Sequence, residues 1–105
     1  MTFENYQRET SKEWDKYLST IKIKSINEDR IKQFYTHFYH SLIHPNIVSD
    51  INGEYMGADF KVHKTKENRE QYSSFSVWDT YRTQGQLIAM LFPKKSSDMM
   101  QSLVD

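Results

Sequence analysis

The chain has two prolines, Pro45 and Pro93, and each stands at the end of an apolar run. Proline cannot donate to a helical ladder, and it pushes the preceding residue toward extended geometry. Before Pro45, the residues Ile31, Phe34, Tyr35, Phe38 and Leu42 fall on one helical face. That helix must stop near Ile43, because Pro45 disfavours helical geometry in His44. Ser25 with Glu28 fits a capping box at its start, and Asn27 is a competing cap. Before Pro93, Ser76-Val77-Trp78-Asp79 opens another helix, with Ser76 as cap, running to about Phe92. Gly85 inside it points to close packing, since glycine costs about 1 kcal/mol there relative to alanine.

The remaining segments are read around these two stops. Glu4 to about Ile21 carries Trp14, Leu18 and Ile21 at i, i+4 and i+7, a helical stripe. Helical period vanishes from Asn46 to Ser74. Asp50-Ile51-Asn52-Gly53 and Met56-Gly57-Ala58-Asp59 carry turn chemistry. Phe60–Lys64 alternates and is expected to pair with Gln71–Phe75 as a small hairpin across a charged loop, Thr65–Glu70. A last helix is expected after Ser96 or Ser97, with Met99, Met100 and Leu103 as its apolar side. It ends at Asp105 in mid-helix, which reads as a truncation. The expected fold is a single domain over residues 1–105, mainly α with a small β-hairpin and about four helices.

Composition narrows the function. Only 37% of the 105 residues are hydrophobic but 14% are aromatic, so the core rests on rings. The 14 basic and 14 acidic side chains balance, which argues against nucleic acid and against an anionic membrane surface as partners. No apolar run is long enough to span a bilayer. The N-terminal residues do not form a signal peptide. Without cysteine there is no disulfide and no thiolate metal site.

Trp78, Asp79 and Arg82 are the most informative cluster. Asp79 and Arg82, three apart, share a helix face. A carboxylate and a guanidinium bind vicinal hydroxyls, and an indole stacks on the apolar face of a pyranose. The plainer alternative is a capping box with a local salt bridge and Trp78 in the core. His37, His40 and His44 are placed on the second helix, with His40 and His44 at a metal-compatible i, i+4 spacing but no accompanying acid. Asp50, Asn52, Glu54 and Asp59 have the composition of a calcium loop without its full ligand pattern, which favours plain turns. Ser73, Ser74 and Ser76 lack a nucleophile elbow and form no triad.

Taken in order, several blocks resemble the family 92 glycoside hydrolases, bacterial-type exo-α-mannosidases. They are Phe34–Asn46, with its aromatic helix and Pro-Asn exit, Ser49–Gly57, Lys61-Val62-His63, Phe75–Arg82 and Asp98–Leu103. Trp14, Leu18 and Ile21 agree with a weaker upstream helix. The resemblance covers nearly the whole chain and implies an internal segment, a slice of an (α/α)6 toroid. It implies calcium-dependent, inverting hydrolysis of terminal α-mannosides by a protein several-fold longer, often periplasmic or secreted, that also carries a β-sandwich. It assigns Asp79 to sugar hydroxyls at the deep subsite, with Trp78 and Arg82 shaping or steadying it.

In the family that the chain resembles, the catalytic acid, the base and most of the calcium shell belong to segments C-terminal to this stretch. No carboxylate here matches them, and no tight calcium binding is expected of this chain alone. Thr83-Gln84-Gly85-Gln86 departs from the usual continuation, where a proline commonly follows. The expected partner is a mannoside glycan, and the expected state an inactive piece of a hydrolase. A non-catalytic carbohydrate-binding or protein-interaction module is the alternative, and a remnant without activity a third. Phe38, Trp78, Leu87 or Met90 is expected to lie partly exposed and to favour self-association.

Overall fold

A computed structural model describes residues 1–66 and 68–105. The chain divides into two compact units, Met1–Leu42 and Ile43–Asp105.

The first unit is a helix pair. Helix α1 spans Phe3–Leu18. Thr2 caps it, its hydroxyl accepting from the Asn5 N–H at 3.4 Å. It stops at Leu18 rather than near Ile21. Ser19 ends the ladder, its hydroxyl donating to the Lys16 carbonyl at 3.2 Å, which suits a residue that competes for backbone partners. Helix α2 spans Glu28–Ser41. Of the two candidate caps, Asn27 serves: its side-chain oxygen accepts from the Arg30 N–H at 3.3 Å, whereas Ser25 Oγ accepts from the Asn27 N–H. Asn27 as cap also puts Glu28 and Asp29 in the first turn, where the helix dipole favours acids. The predicted apolar face holds: Phe38 is buried, with Ile31, Phe34, Tyr35 and Leu42 half-buried. Trp14 of α1 meets Tyr39 of α2 edge-on at 4.6 Å. The Tyr35 hydroxyl donates to the Ile21 carbonyl at 2.7 Å and ties down the link between the helices.

The second unit begins just before the cis bond between His44 and Pro45. Strands β1 (Asn46–Ile47), β2 (Glu54–Met56), β3 (Val62–Lys64) and β4 (Tyr72–Ser73) form two antiparallel ladders, β1 with β4 and β2 with β3. The hairpin is therefore present, but the expected pairing of Phe60–Lys64 with Gln71–Phe75 is not. Met56 to Asp59 is the turn that closes β2 onto β3, with the Gly57 N–H bonded to the Lys61 carbonyl and the Phe60 N–H to the Gly57 carbonyl. Strand β3 thus pairs with the strand before it, and β4 pairs with β1. Glycine is required twice here. Gly53 has φ +86°, and a Cβ on Gly57 would lie 2.6 Å from His63 Cδ2 and 2.7 Å from Asp59 Oδ1. Of the predicted charged loop, Glu67 lies outside the described residues.

Three helices follow: α3 (Val77–Thr80), α4 (Gln84–Leu91) and α5 (Pro93–Val104). The single helix expected from Ser76 to Phe92 is thus broken, at Thr83, whose φ is +66°. The Gln84 N–H turns back to the Arg82 carbonyl at 2.8 Å, and the ladder restarts with Leu87 bonded to Thr83. The close packing expected of Gly85 is not seen: it is exposed, and a Cβ there would stand 3.4 Å from the Thr80 carbonyl oxygen, an ordinary van der Waals contact. Helix α5 opens on Pro93 itself and not at Ser96 or Ser97. Proline suits the first helical position, where no partner exists for an N–H. Ile88 of α4 and Tyr72 of β4 are the buried apolar residues of this unit. Among the described residues, no helix is long and apolar enough to cross a membrane.

Candidate functional site

Trp78, Asp79 and Arg82 come together on one exposed turn. Helix α3 is only four residues long, and the break at Thr83 follows directly after Arg82. Trp78 is 84% exposed, so the alternative that put its ring in the core fails. The capping box fails as well. Ser76 precedes the helix, but its hydroxyl makes no bond to a helical N–H; it donates to the Asp79 carboxylate at Oδ2. The local salt bridge is absent too. Arg82 turns to its neighbour, with Nε donating to the Tyr81 hydroxyl at 2.8 Å and Cζ 5.3 Å from the Tyr81 ring centroid. Two amides brace the turn. Gln86 Nε2 donates to the Tyr81 carbonyl at 2.9 Å, and Gln84 Nε2 to the His44 carbonyl at 2.8 Å. Chemically, the turn exposes a carboxylate, a guanidinium and an indole.

The other candidates do not assemble. Helix α2 ends at Ser41, so His44 lies beyond it and the helical spacing of His40 with His44 is not realised. His37 and His40 are exposed on α2. Asn52 Oδ1 accepts from the Glu54 N–H at 3.0 Å, which closes a turn. Asp59 Oδ1 accepts from the Lys61 N–H at 3.1 Å and pairs with His63 Nε2 at 2.9 Å. The His63 hydrogen bond, with that from Lys61, holds the Asp59 carboxyl below its usual range. Among the described residues, no group of three or more His, Cys, Asp or Glu side chains is placed to hold a metal. The turn-rich segment does not fit a calcium site. Of the residues expected to be exposed, Trp78 and Met90 are, Leu87 is half-buried and Phe38 is buried.

One polar cluster escaped the sequence reading. Asp98 of α5 is 6% exposed, and its Oδ2 accepts from the Glu70 N–H at 3.2 Å and from Lys94 Nζ at 3.0 Å. Ser102 Oγ accepts from the Tyr72 N–H at 3.0 Å and donates to the Asp98 carbonyl at 2.7 Å. Glu70 Oε2 accepts from the Tyr72 hydroxyl at 2.8 Å and from Lys95 Nζ at 3.0 Å. Partial burial opposes ionisation of Glu70, but the hydrogen bonds from Lys95 and Tyr72 outweigh it and lower its pKa. Burial, with the bond to Glu70, pushes the Tyr72 hydroxyl up. Arg69 joins through Nη2, bonded to Gln71 Oε1 and Asp105, although its buried Nε and Nη1 find no acceptor among the described residues. This latch fastens the β4 segment to α5. The only local signal for it was Lys94 and Asp98 at i, i+4.

A family profile described as the glycosyl hydrolase family 92 catalytic domain matches residues 1–105. The chain is similar to a family GH92 alpha-mannosidase from Bacteroides thetaiotaomicron, at 27% identity and TM-score 0.92, over 99% of this chain and 14% of that one. The structure of that alpha-mannosidase in complex with mannoimidazole gives the same identity and TM-score, over 99% of this chain and 13% of that one. The family glycosyl hydrolase ccman5 is 31% identical with TM-score 0.86, over 99% of this chain and 14% of that one. The chain therefore spans about one seventh of the length of these proteins. A search of curated proteins finds no match. The likeness carries the expected fold class, mainly helical with a small hairpin, a slice of an (α/α)6 toroid.

Proposed function

The chain belongs to glycosyl hydrolase family 92, and from that premise we propose that it carries the sugar-holding part of an enzyme that hydrolyses terminal α-mannosides. The observation that carries this is the open turn of Trp78, Asp79 and Arg82, in a chain whose backbone follows that of an alpha-mannosidase over 99% of its length. Asp79 accepts from sugar hydroxyls, Arg82 donates to them, and Trp78 lies against the apolar face of the ring. The structure of that mannosidase with mannoimidazole supports a mannose-like ligand for the family.

Hydrolysis with inversion needs two carboxyl groups about 6.5–9.5 Å apart on opposite sides of the sugar. Asp79 is the only acidic residue between Gln71 and Ser97, so the turn offers one carboxylate and not two. We therefore assign binding to this stretch and place the acid, the base and the calcium of the family mechanism on other segments. That same single carboxylate favours a second reading, a carbohydrate-binding module without hydrolysis. The test is a titration of the folded chain with methyl α-mannoside, followed at the Trp78 indole N–H by NMR. A saturable shift that Asp79→Ala abolishes is expected. A shift of equal size in Asp79→Ala, or none in the parent chain, would overturn the sugar-site reading. Hydrolysis of an aryl α-mannoside by the purified chain would overturn the division of labour.

A further inference from the structure

We propose that Tyr81 and Ser76 are positioning residues that keep Arg82 and Asp79 from pairing with each other, so that both stay open to the sugar; this rests on the sugar-site reading above. Asp and Arg three apart attract one another where the chain is helical; here α3 ends at Thr80, and Arg82 lies just beyond it on the following turn. A carboxylate–guanidinium pair is frequently bidentate, and it then occupies the donors and acceptors that a neutral polyol needs. On this turn each charge has a different partner. Tyr81 holds Arg82 in two ways, by accepting from Nε at 2.8 Å and by offering its ring to the guanidinium at 5.3 Å. Tyr81 is itself fixed: its N–H bonds to the Val77 carbonyl at 2.9 Å, and its own carbonyl accepts from Gln86 at 2.9 Å. Ser76 holds one oxygen of Asp79 from the opposite end of α3.

What remains is an arrangement of free groups. Asp79 Oδ1 and the terminal nitrogens of Arg82 have no partner among the described residues. The break at Thr83, where φ is +66°, follows directly after Arg82. Tyr81 is 51% exposed.

The test uses the full chain, methyl α-mannoside and the Trp78 indole N–H signal. Tyr81→Phe keeps the ring and removes only the hydroxyl acceptor; Ser76→Ala removes the donor and Ser76→Thr restores it. All four side chains are exposed, and an unchanged amide spectrum confirms that each variant is folded. Tyr81→Phe is expected to weaken sugar binding about three- to tenfold, the scale of one hydrogen bond. Part of that loss should return at about 1 M salt, where a screening length of about 3 Å weakens the Asp79–Arg82 pair that the variant permits. Ser76→Ala should weaken binding and Ser76→Thr recover it. Parental affinity in Tyr81→Phe and Ser76→Ala, with Asp79→Ala still abolishing binding, overturns the positioning roles and leaves the sugar site standing. A loss that salt leaves unchanged also overturns them. Binding that survives Asp79→Ala overturns both.

Discussion

Two aspartates in the second unit are treated in opposite ways. Asp98 is buried on α5 and accepts from the Glu70 N–H across the latch and from Lys94 on its own helix. Asp79 is exposed on a helix of four residues, and its partner is the serine three residues before it. Burial obliges a charge to find partners, because an uncompensated carboxylate in a low-dielectric interior is very costly. Exposure removes that obligation and leaves hydrogen-bonding capacity over. The contrast separates two jobs: the latch holds the unit together, and the turn is the part we propose meets a ligand.

The sharpest way to break this comparison is Asp98→Ala. It leaves the half-buried Glu70 N–H without the Asp98 acceptor and removes the counter-charge of Lys94. Loss of a charged hydrogen-bond acceptor at a buried site costs about 2 kcal/mol. Asp98→Asn should cost less, since it keeps an acceptor for the N–H, and Lys94 is 66% exposed and loses little. Urea unfolding measures both. An Asp98→Ala chain as stable as the parent would make the latch an incidental contact.

Asp79→Ala should show the reverse profile. The side chain is exposed and no helical N–H depends on it, so stability should stay within about 0.5 kcal/mol. The mannoside-induced shift of Trp78 should nevertheless vanish. If Asp79→Ala instead unfolds as readily as Asp98→Ala, both aspartates are structural and the contrast disappears.

The sequence was most informative where the signal is local. The α2 face of Ile31, Phe34, Tyr35, Phe38 and Leu42 rests on a period of a few residues, and Pro45 and Pro93 act on their immediate neighbours. The strand pairing was not legible, because the alternating Phe60–Lys64 segment had extended candidates on both sides. No residue type announced the break at Thr83; a β-branched residue at positive φ is disfavoured, and only the nearby Gly85 hinted at irregularity. Trp78, Asp79 and Arg82 stood out by spacing and by family likeness. Their holders did not: Ser76 looked like a backbone cap, and Tyr81 carried no signal of its own. The latch joins Glu70 to Asp98 across 28 positions, a distance at which periodicity says nothing.

The smallest predicted effect concerns the other carboxylate of the latch. The folded pKa of Glu70 lies below its ordinary 4.5, with the hydrogen bonds from Lys95 and Tyr72 outweighing burial. A carboxylate stabilised in the folded state contributes fully above its unfolded pKa, and that contribution fades as the pH falls through the folded value. Glu70→Gln should therefore be slightly less stable than the parent at neutral pH, and the two should converge once Glu70 is protonated. The Glu70 side chain is 42% exposed and that of Lys95 28%, so solvent screening keeps the gap under about 1 kcal/mol. Asp59 and Asp105 also titrate below their ordinary value, but both proteins contain them, so their effects cancel in the difference between the two curves. Urea midpoints measured from neutral pH down to about pH 3 would show it. Curves that stay parallel would mean that the Glu70–Lys95 pair carries no weight. The fastening of α5 would then rest on Asp98, Ser102 and the Arg69–Asp105 bond, and the contrast between the buried aspartate and the exposed one would become sharper.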